Sequence, residues 1–162
     1  LKKEIPDIHY LVVGEGPENQ NLAQFARESG VSDKVSFVGP VHDNELPFYY
    51  SLSKVFVMPT ITDGNDYEGF GMVYLEANAC GLPVIGSRSG GVADAIVDGE
   101  TGILVDEYDV IGLSEAIKKI LQDDALRAKM GEIGRKRAEA LFSWKMIGNK
   151  LETYLRECTA KN

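Results

Sequence analysis

The stretch "DYEGFGMVYLEANACGLPVIGSRSGG", residues 66–91, decides how this chain is read. Its middle, "GMVYLEANACG", has the make-up of a buried helix that stops at Gly81, with Pro83 just beyond as a second stop signal. "PVIGS" then reads as a short strand covered on both faces, and "SGG" as a glycine turn into another helix. A helix leading into a buried strand and then another helix is the repeating unit of a parallel sheet. Two glutamates, Glu68 and Glu76, stand eight residues apart in this unit, with glycines around the first.

The same alternation extends in both directions. Upstream, "IHYLVVG" (residues 8–14) is a strand, and "GEG" turns into a helix with Pro17 at its first position and Gly30 at its end. "KVSFVG" is the next strand. "DNELPFYYSLS" is a short helix starting from Asp43 and Asn44, with Pro47 tolerated in its first turn, and "KVFVMPT" is the third strand. Downstream, "GGVADAIV" is a short helix and "ILVD" a last strand. From Asp109 onward the pattern is helical in three segments, the last capped by Ser143. The expected fold class is α/β: a doubly wound, Rossmann-like parallel sheet with helices on both faces and a helical C-terminus. The chain begins with Leu1, and "LKKEIPDIHYLVVG" opens like the last turn of a helix. The expectation is therefore an excised piece, residues 1–162 forming one domain whose first strand is missing upstream.

Composition narrows the function. The 162 residues are 44% hydrophobic, enough for one sizeable core. A net charge of −8 with no compensating Lys/Arg cluster argues against nucleic acid, which needs a basic face, and gives no attraction to an anionic membrane. No apolar run reaches the roughly 18 residues a membrane span needs, and no signal peptide is visible. Cys80 and Cys158 lack metal-ligand spacing and read as reduced thiols, so the expected location is cytoplasmic.

Ligands of such sheets bind where strands lead into helices. Gly14 and Gly16 let the backbone approach a ligand, although a glycine pair here also serves a plain tight turn. The loop from Thr60 to Gly71 is long, polar and glycine-bearing, the kind that carries function. Gly69 and Gly71 flank Phe70 at a helix start, where free N–H groups and the positive dipole end form an anion site that glycine leaves open. Glu68 sits just ahead of it, either as a solvated acid favoured by the dipole or as a sugar ligand. Glu76 lies on a helix otherwise nearly free of charge, either on its one exposed face or accepting from paired hydroxyls. Eight helical residues would separate the two by about 12 Å, the span from a hexose across a diphosphate to a ribose. In the third loop, "SRSGGVADAI", Gly90 and Gly91 again open a helix, with Arg88 as a nearby cation or a plain surface residue.

At this point a resemblance enters. "EGFGMVYLE" followed by "ANACGLPVI" resembles the E-x7-E segment of retaining, two-Rossmann-domain (GT-B type) glycosyltransferases, family 4 or group 1. "YLVVGEGPE", "KVSFVGPV", "LPFYYSLSKVFVMPT", "GGVADAIVDGETGILVD" and "MGEIGRKRAEALFSW" fit the same family in order. The look is nearest to lipid-directed, phosphatidylinositol mannosyltransferase-like members. The resemblance implies the C-terminal donor-binding domain of an enzyme that transfers a hexose to a lipid or saccharide acceptor. It favours mannose from GDP-mannose, with glucose or N-acetylglucosamine from a UDP-sugar also open.

By the same resemblance, Glu68 is the catalytic-site residue that holds the donor sugar hydroxyls. The backbone of Gly69, Phe70, Gly71 and Met72 contacts sugar and diphosphate, and Glu76 holds the ribose. The turn at Gly14 and Gly16 lines the cleft, and the backbone of Val35, Ser36 and Phe37 recognises the base. It implies no metal and no cofactor beyond the donor. The implied partner is a missing N-terminal acceptor domain, in a parent enzyme at the cytoplasmic membrane face.

Two family features are absent from the sequence: the "G-R-l" strand with its nearby Lys, and the acceptor domain with its histidine. His9, in a strand, and His42, in a turn, read as structural or solvent residues instead. The piece alone is thus expected to bind donor weakly and transfer nothing. Trp144, Leu151 and Tyr154 recur at helical spacing, which marks either core packing or an apolar face left bare and prone to self-association.

The competing readings are weaker on particular residues. A nicotinamide dehydrogenase needs G-x-G-x-x-G, and "GEGPEN" lacks the third glycine. A receiver-like signalling domain needs acids at its strand ends, which "VVGEG" and "FVMPT" do not supply. A non-catalytic nucleotide-sugar-binding scaffold or an epimerase-like domain keeps the fold, and the paired glutamates count against the epimerase.

Overall fold

A computed structural model gives the structure of residues 1–64 and 67–159, and the chain divides into two compact units, residues 1–52 and 53–162. It is α/β, with parallel sheets flanked by helices. The strands form two parallel ladders: β1 (Tyr10–Val13) with β2 (Val35–Gly39), and β3 (Phe56–Met58), β4 (Val84–Ser87) and β5 (Gly102–Val105) in that order.

In the first unit, β1 and β2 run parallel, with Tyr10 opposite Val35 and Val12 opposite Phe37. The crossover is α1 (Asn19–Glu28), followed by Gly30 at a φ of +65°. Pro17 stands two residues ahead of α1 and not at its first position; Glu18 is the capping residue. Helix α2 (Leu46–Leu52) carries Pro47 in its first turn, where no hydrogen bond is lost. Ala26 is the one buried hydrophobic residue among the described residues of this unit.

The second unit holds the core. Strand β4 is buried along its whole length between β3 and β5, which explains its unbroken apolar run. Ile85, Val105, Ala116, Ile120 and Met130 pack together, flanked by Val55, Val57 and Leu126. Helices α3 (Met72–Ala79), α4 (Val92–Ala95), α5 (Val110–Gln122) and α6 (Asp124–Arg137) surround the strands. Asp109 and Asp123 cap α5 and α6 by accepting from the Gly112 and Leu126 amides at 2.8 and 2.9 Å.

The docking of α6 depends on two missing side chains. A Cβ at Gly131 would overlap the Gly81 carbonyl oxygen, and one at Gly134 would lie 2.7 Å from the Asn78 side chain. Asn78, fully buried, in turn donates to the Leu82 and Thr101 carbonyls at 2.8 and 3.3 Å. The far end of α3 is thereby fixed against the entries to β4 and β5.

Beyond α6 a π-helical turn (Ala138–Phe142) leads to α7 (Trp144–Thr159), where the Ser143 hydroxyl accepts from the Met146 amide at 3.4 Å. Trp144, Leu151 and Tyr154 are 82%, 56% and 63% exposed, so their helical spacing marks a bare face and not core packing. Both cysteines are free, Cys80 half-buried and Cys158 exposed. Among the described residues, no helix is long and apolar enough to cross a membrane.

Candidate functional site

The second unit presents its most elaborate loop between the end of β3 at Met58 and the start of α3 at Met72. Asn65 and Asp66, which the loop reading included, lie outside the described residues. Gly71 caps α3 from the left-handed region, at a φ of +80°, and a Cβ there would stand 2.5 Å from the Tyr74 ring. Tyr74 is fully buried; its hydroxyl donates to the Met58 carbonyl, and its ring meets Phe56 edge-on at 5.7 Å. Burial pushes that hydroxyl up to about 12, and the neighbouring Glu68 charge adds to the rise. The first turn of α3 is therefore bolted to the end of β3. Glycine at position 71 is what lets the chain pass over the bolt.

Glu68 is half-buried and lies in the loop, four residues before the first helical residue. This corrects the 12 Å estimate, since only the second half of the Glu68–Glu76 spacing is helical. The Glu68 carboxylate accepts weakly from the Phe70 amide at 3.4 Å, and its main-chain carbonyl accepts from the Gly91 amide at 2.9 Å. The third glycine loop thus has a structural task. A Cβ at Gly90 would overlap the Glu68 carbonyl oxygen, and one at Gly91 the Gly69 carbonyl oxygen. Arg88 points its charge at Asp98 (2.6 Å) and Asp106 (3.6 Å).

Phe70 is held from another side. Its ring lies 5.7 Å from Phe142, which in turn sits under the Arg137 guanidinium at 4.8 Å. Arg137 donates to the Asp94 and Ala95 carbonyls at 2.8 and 2.7 Å, satisfying the end of α4.

Along α3, Tyr74, Ala77 and Asn78 point inward, while Met72, Glu76 and Ala79 share the outer face. Glu76 is half-buried on that face. Cys80, one turn further on, has its thiol pushed up by burial, with Arg135 opposing and Glu76 adding. The N–H groups of Met72 and Val73 occupy the first turn, where a helix has no internal acceptors to offer, and the dipole adds a positive potential. Glu68, Gly69, Phe70, Gly71 and Met72 are brought together as one loop and helix start, with Glu76 one turn along.

The remaining sequence-derived candidates belong to the first unit. Gly14 has a φ of +110°, and its amide donates to the Gly39 carbonyl at 2.8 Å; a Cβ would meet nothing within 4 Å. Gly16 is exposed and borders a shallow hollow with Glu15, Pro17, Asn19 and Gln20. Val35, Ser36 and Phe37 are half-buried in β2, and the Ser36 hydroxyl lies 2.9 Å from His9 Nε2. His42 is exposed. Among the described residues, no group of three or more His, Cys, Asp or Glu is placed to hold a metal ion.

One cluster escaped the sequence reading. Thr62 donates to the Glu107 carboxylate through its amide (3.1 Å) and hydroxyl (2.9 Å), and its Oγ1 lies 2.9 Å from the hydroxyl of buried Ser89. Thr62 follows β3, Ser89 follows β4 and Glu107 follows β5, so the cluster ties the carboxyl ends of three strands. Partners 27 and 45 residues apart leave no local signal.

With this geometry in hand, comparison with known proteins is direct. The chain is 39% identical over 157 residues to the GDP-mannose-dependent alpha-(1-6)-phosphatidylinositol monomannoside mannosyltransferase of Mycolicibacterium smegmatis, covering 96% of this chain and 41% of that protein. It is 36% identical to the D-inositol 3-phosphate glycosyltransferase of Paenarthrobacter aurescens, covering 95% of this chain and 38% of that one. The chain thus spans about two fifths of the length of these relatives. Among solved structures, the sucrose-phosphate synthase of Thermosynechococcus elongatus superposes with a TM-score of 0.85 at 36% identity, over 98% of this chain and 40% of that one. Anabaena HepE, solved in complex with UDP, superposes at 0.84 with 22% identity over 94% of this chain and 42% of that one, a likeness of fold. The family model for glycosyl transferases group 1 matches residues 1–137, and the chain belongs to that family.

Proposed function

We propose that residues 1–162 are the donor-binding part of a retaining hexosyltransferase, with mannose from GDP-mannose the favoured donor and a lipid or saccharide the acceptor. The observation that carries this reading is the start of α3. Gly69 is exposed, with open space where a Cβ would stand, so that position puts no side chain over the approach to the first helical amides, and Glu68 and Glu76 stand on either side along the chain. In this reading Glu68 accepts from hydroxyls of the donor sugar. The amides from Gly69 to Met72 receive the diphosphate, and Glu76 accepts from the ribose. Negative charge that develops on the departing diphosphate meets the positive end of α3, an interaction that strengthens as the bond breaks. For the first unit, we assign the Gly14–Gly16 turn to the lining of the cleft and the Val35–Phe37 backbone to the base. The mannosyltransferase relatives support GDP-mannose over UDP-sugars. A parent enzyme working at a membrane face, and inactivity of these residues alone, belong to the same proposal.

Calorimetric titration of GDP-mannose, UDP-glucose, UDP-N-acetylglucosamine, GDP and UDP into the chain tests it. GDP-mannose is expected to saturate, with weak affinity. Glu68→Ala should weaken GDP-mannose about tenfold while leaving GDP within twofold, the cost of a lost pair of charge-assisted hydrogen bonds. Glu76→Ala should weaken both ligands. Failure of every donor to saturate, or a Glu68→Ala variant that binds GDP-mannose as well as the unaltered chain, overturns the reading.

A further inference from the structure

The Thr62–Ser89–Glu107 cluster lies outside the residues assigned to the donor, yet it holds the scaffold on which Glu68 rests. Ser89 and Gly91 are two residues apart in the turn after β4. Ser89 meets Thr62 at one end of the β3–α3 loop, while Gly91 binds the Glu68 carbonyl near the other. This turn is therefore a common anchor for both ends of the loop, with no room for side chains at Gly90 or Gly91. Glu107 closes the arrangement from β5. Its carboxylate takes both the amide and the hydroxyl of Thr62, which presses Thr62 against Ser89.

We infer that Glu107 is a positioning residue for Glu68, bracing the Ser89–Gly91 turn through Thr62 so that the Glu68 main chain stays fixed. The inference rests on the proposed donor role of Glu68 only for its consequence in binding. The bracing itself is independent of any ligand. Hydrogen bonds from Ser89 and from the amide and hydroxyl of Thr62 hold the Glu107 carboxyl below the usual carboxylate range, so it remains an acceptor at neutral pH. A carboxylate is suited to this place because two donors of one residue converge on it. Side chains that touch substrate keep productive geometry only when such outer partners hold them.

Two measurements separate the inference from the donor reading. In the free chain, amide hydrogen exchange at Tyr67–Gly71 and Gly91 should quicken about tenfold in Glu107→Ala, as expected for loss of charge-assisted hydrogen bonds. Glu107→Gln, which keeps one acceptor oxygen for the Thr62 amide, should recover most of the protection, and Thr62→Val should reproduce the Glu107→Ala result. In the titrations, Glu107→Ala should weaken GDP-mannose more than GDP, because it loosens both the sugar ligand Glu68 and the adjoining diphosphate amides, while the Glu76 contact to the ribose is kept. A general loss of folding would instead speed exchange across β4 and α5 as well. Unchanged exchange at Gly91 and Tyr67–Gly71 in both Glu107→Ala and Thr62→Val overturns the inference, whatever the donor titrations show. Quickened exchange with no saturable donor would keep the bracing and remove the donor reading instead.

Discussion

Two turns of this molecule look alike in sequence and differ in physics. Gly14–Gly16 and Gly90–Gly91 each follow a strand and precede a helix. Around Gly14 and Gly16 there is open space, and only the +110° φ of Gly14 demands glycine. Around Gly90 and Gly91 there is none, because the backbone of Glu68 and Gly69 already fills it. The first turn leaves room for something to approach; the second is glycine because the chain itself has approached. Identical letters can therefore mark a vacancy or its opposite, and distant residues decide which.

The sharpest way to break this contrast is Gly91→Ala. The new methyl would drive apart the Gly91 and Gly69 backbones, neither of which can rotate away, at a cost of about 3 kcal/mol. Urea unfolding should show it, and a stability within error of the unaltered chain would mean that the two loops are not packed as described.

A smaller effect is expected from Asp98→Asn, which removes the carboxylate facing Arg88 in that same turn. Burial raises the Asp98 carboxyl, but the Leu104 amide and Arg88 outweigh it and hold it below the ordinary 3.8. A depressed carboxyl stabilises the fold above its unfolded value, and the contribution is lost as pH falls through the folded one. With both side chains well exposed, the difference between the two proteins should be about 0.5 kcal/mol at pH 7. It should vanish in acid below 3.8. A difference that persists there would assign the effect to something other than charge.

The least effect is expected from Gly16→Ala, with an open Cβ position and no left-handed backbone: a stability change within about 0.5 kcal/mol. A larger loss would show the first turn to be as tightly packed as the second.

Much of this was legible along the chain, and what was not shares one cause. The order of strands and helices followed from apolar runs and stop signals that act over a few residues, such as Gly81 and Pro83 after α3 or Asp109 before α5. The loop carrying Glu68 stood out because three glycines and a polar run are visible without coordinates. Three things could not be seen in this way. The 12 Å spacing assumed between Glu68 and Glu76 failed because Glu68, Gly69 and Phe70 lie in the loop ahead of the capping Gly71, so helical rise applies only from Met72 onward. Gly90 and Gly91 have their reason in a segment more than twenty residues earlier. Thr62 and Glu107 meet across 45 residues, with no pattern joining them. Strand pairing was equally hidden: periodicity marks a strand but not its neighbour, so the division into two ladders had to come from hydrogen bonds.

The bare face of α7 has a practical corollary. Trp144 is the single tryptophan of the chain and stands 82% in water at the start of that helix. Its emission should be that of an indole in bulk solvent, and any surface that settles on the stripe formed with Ile147, Leu151 and Tyr154 would shift it toward shorter wavelength. The protein therefore carries its own optical gauge for whatever covers this helix, with no label attached.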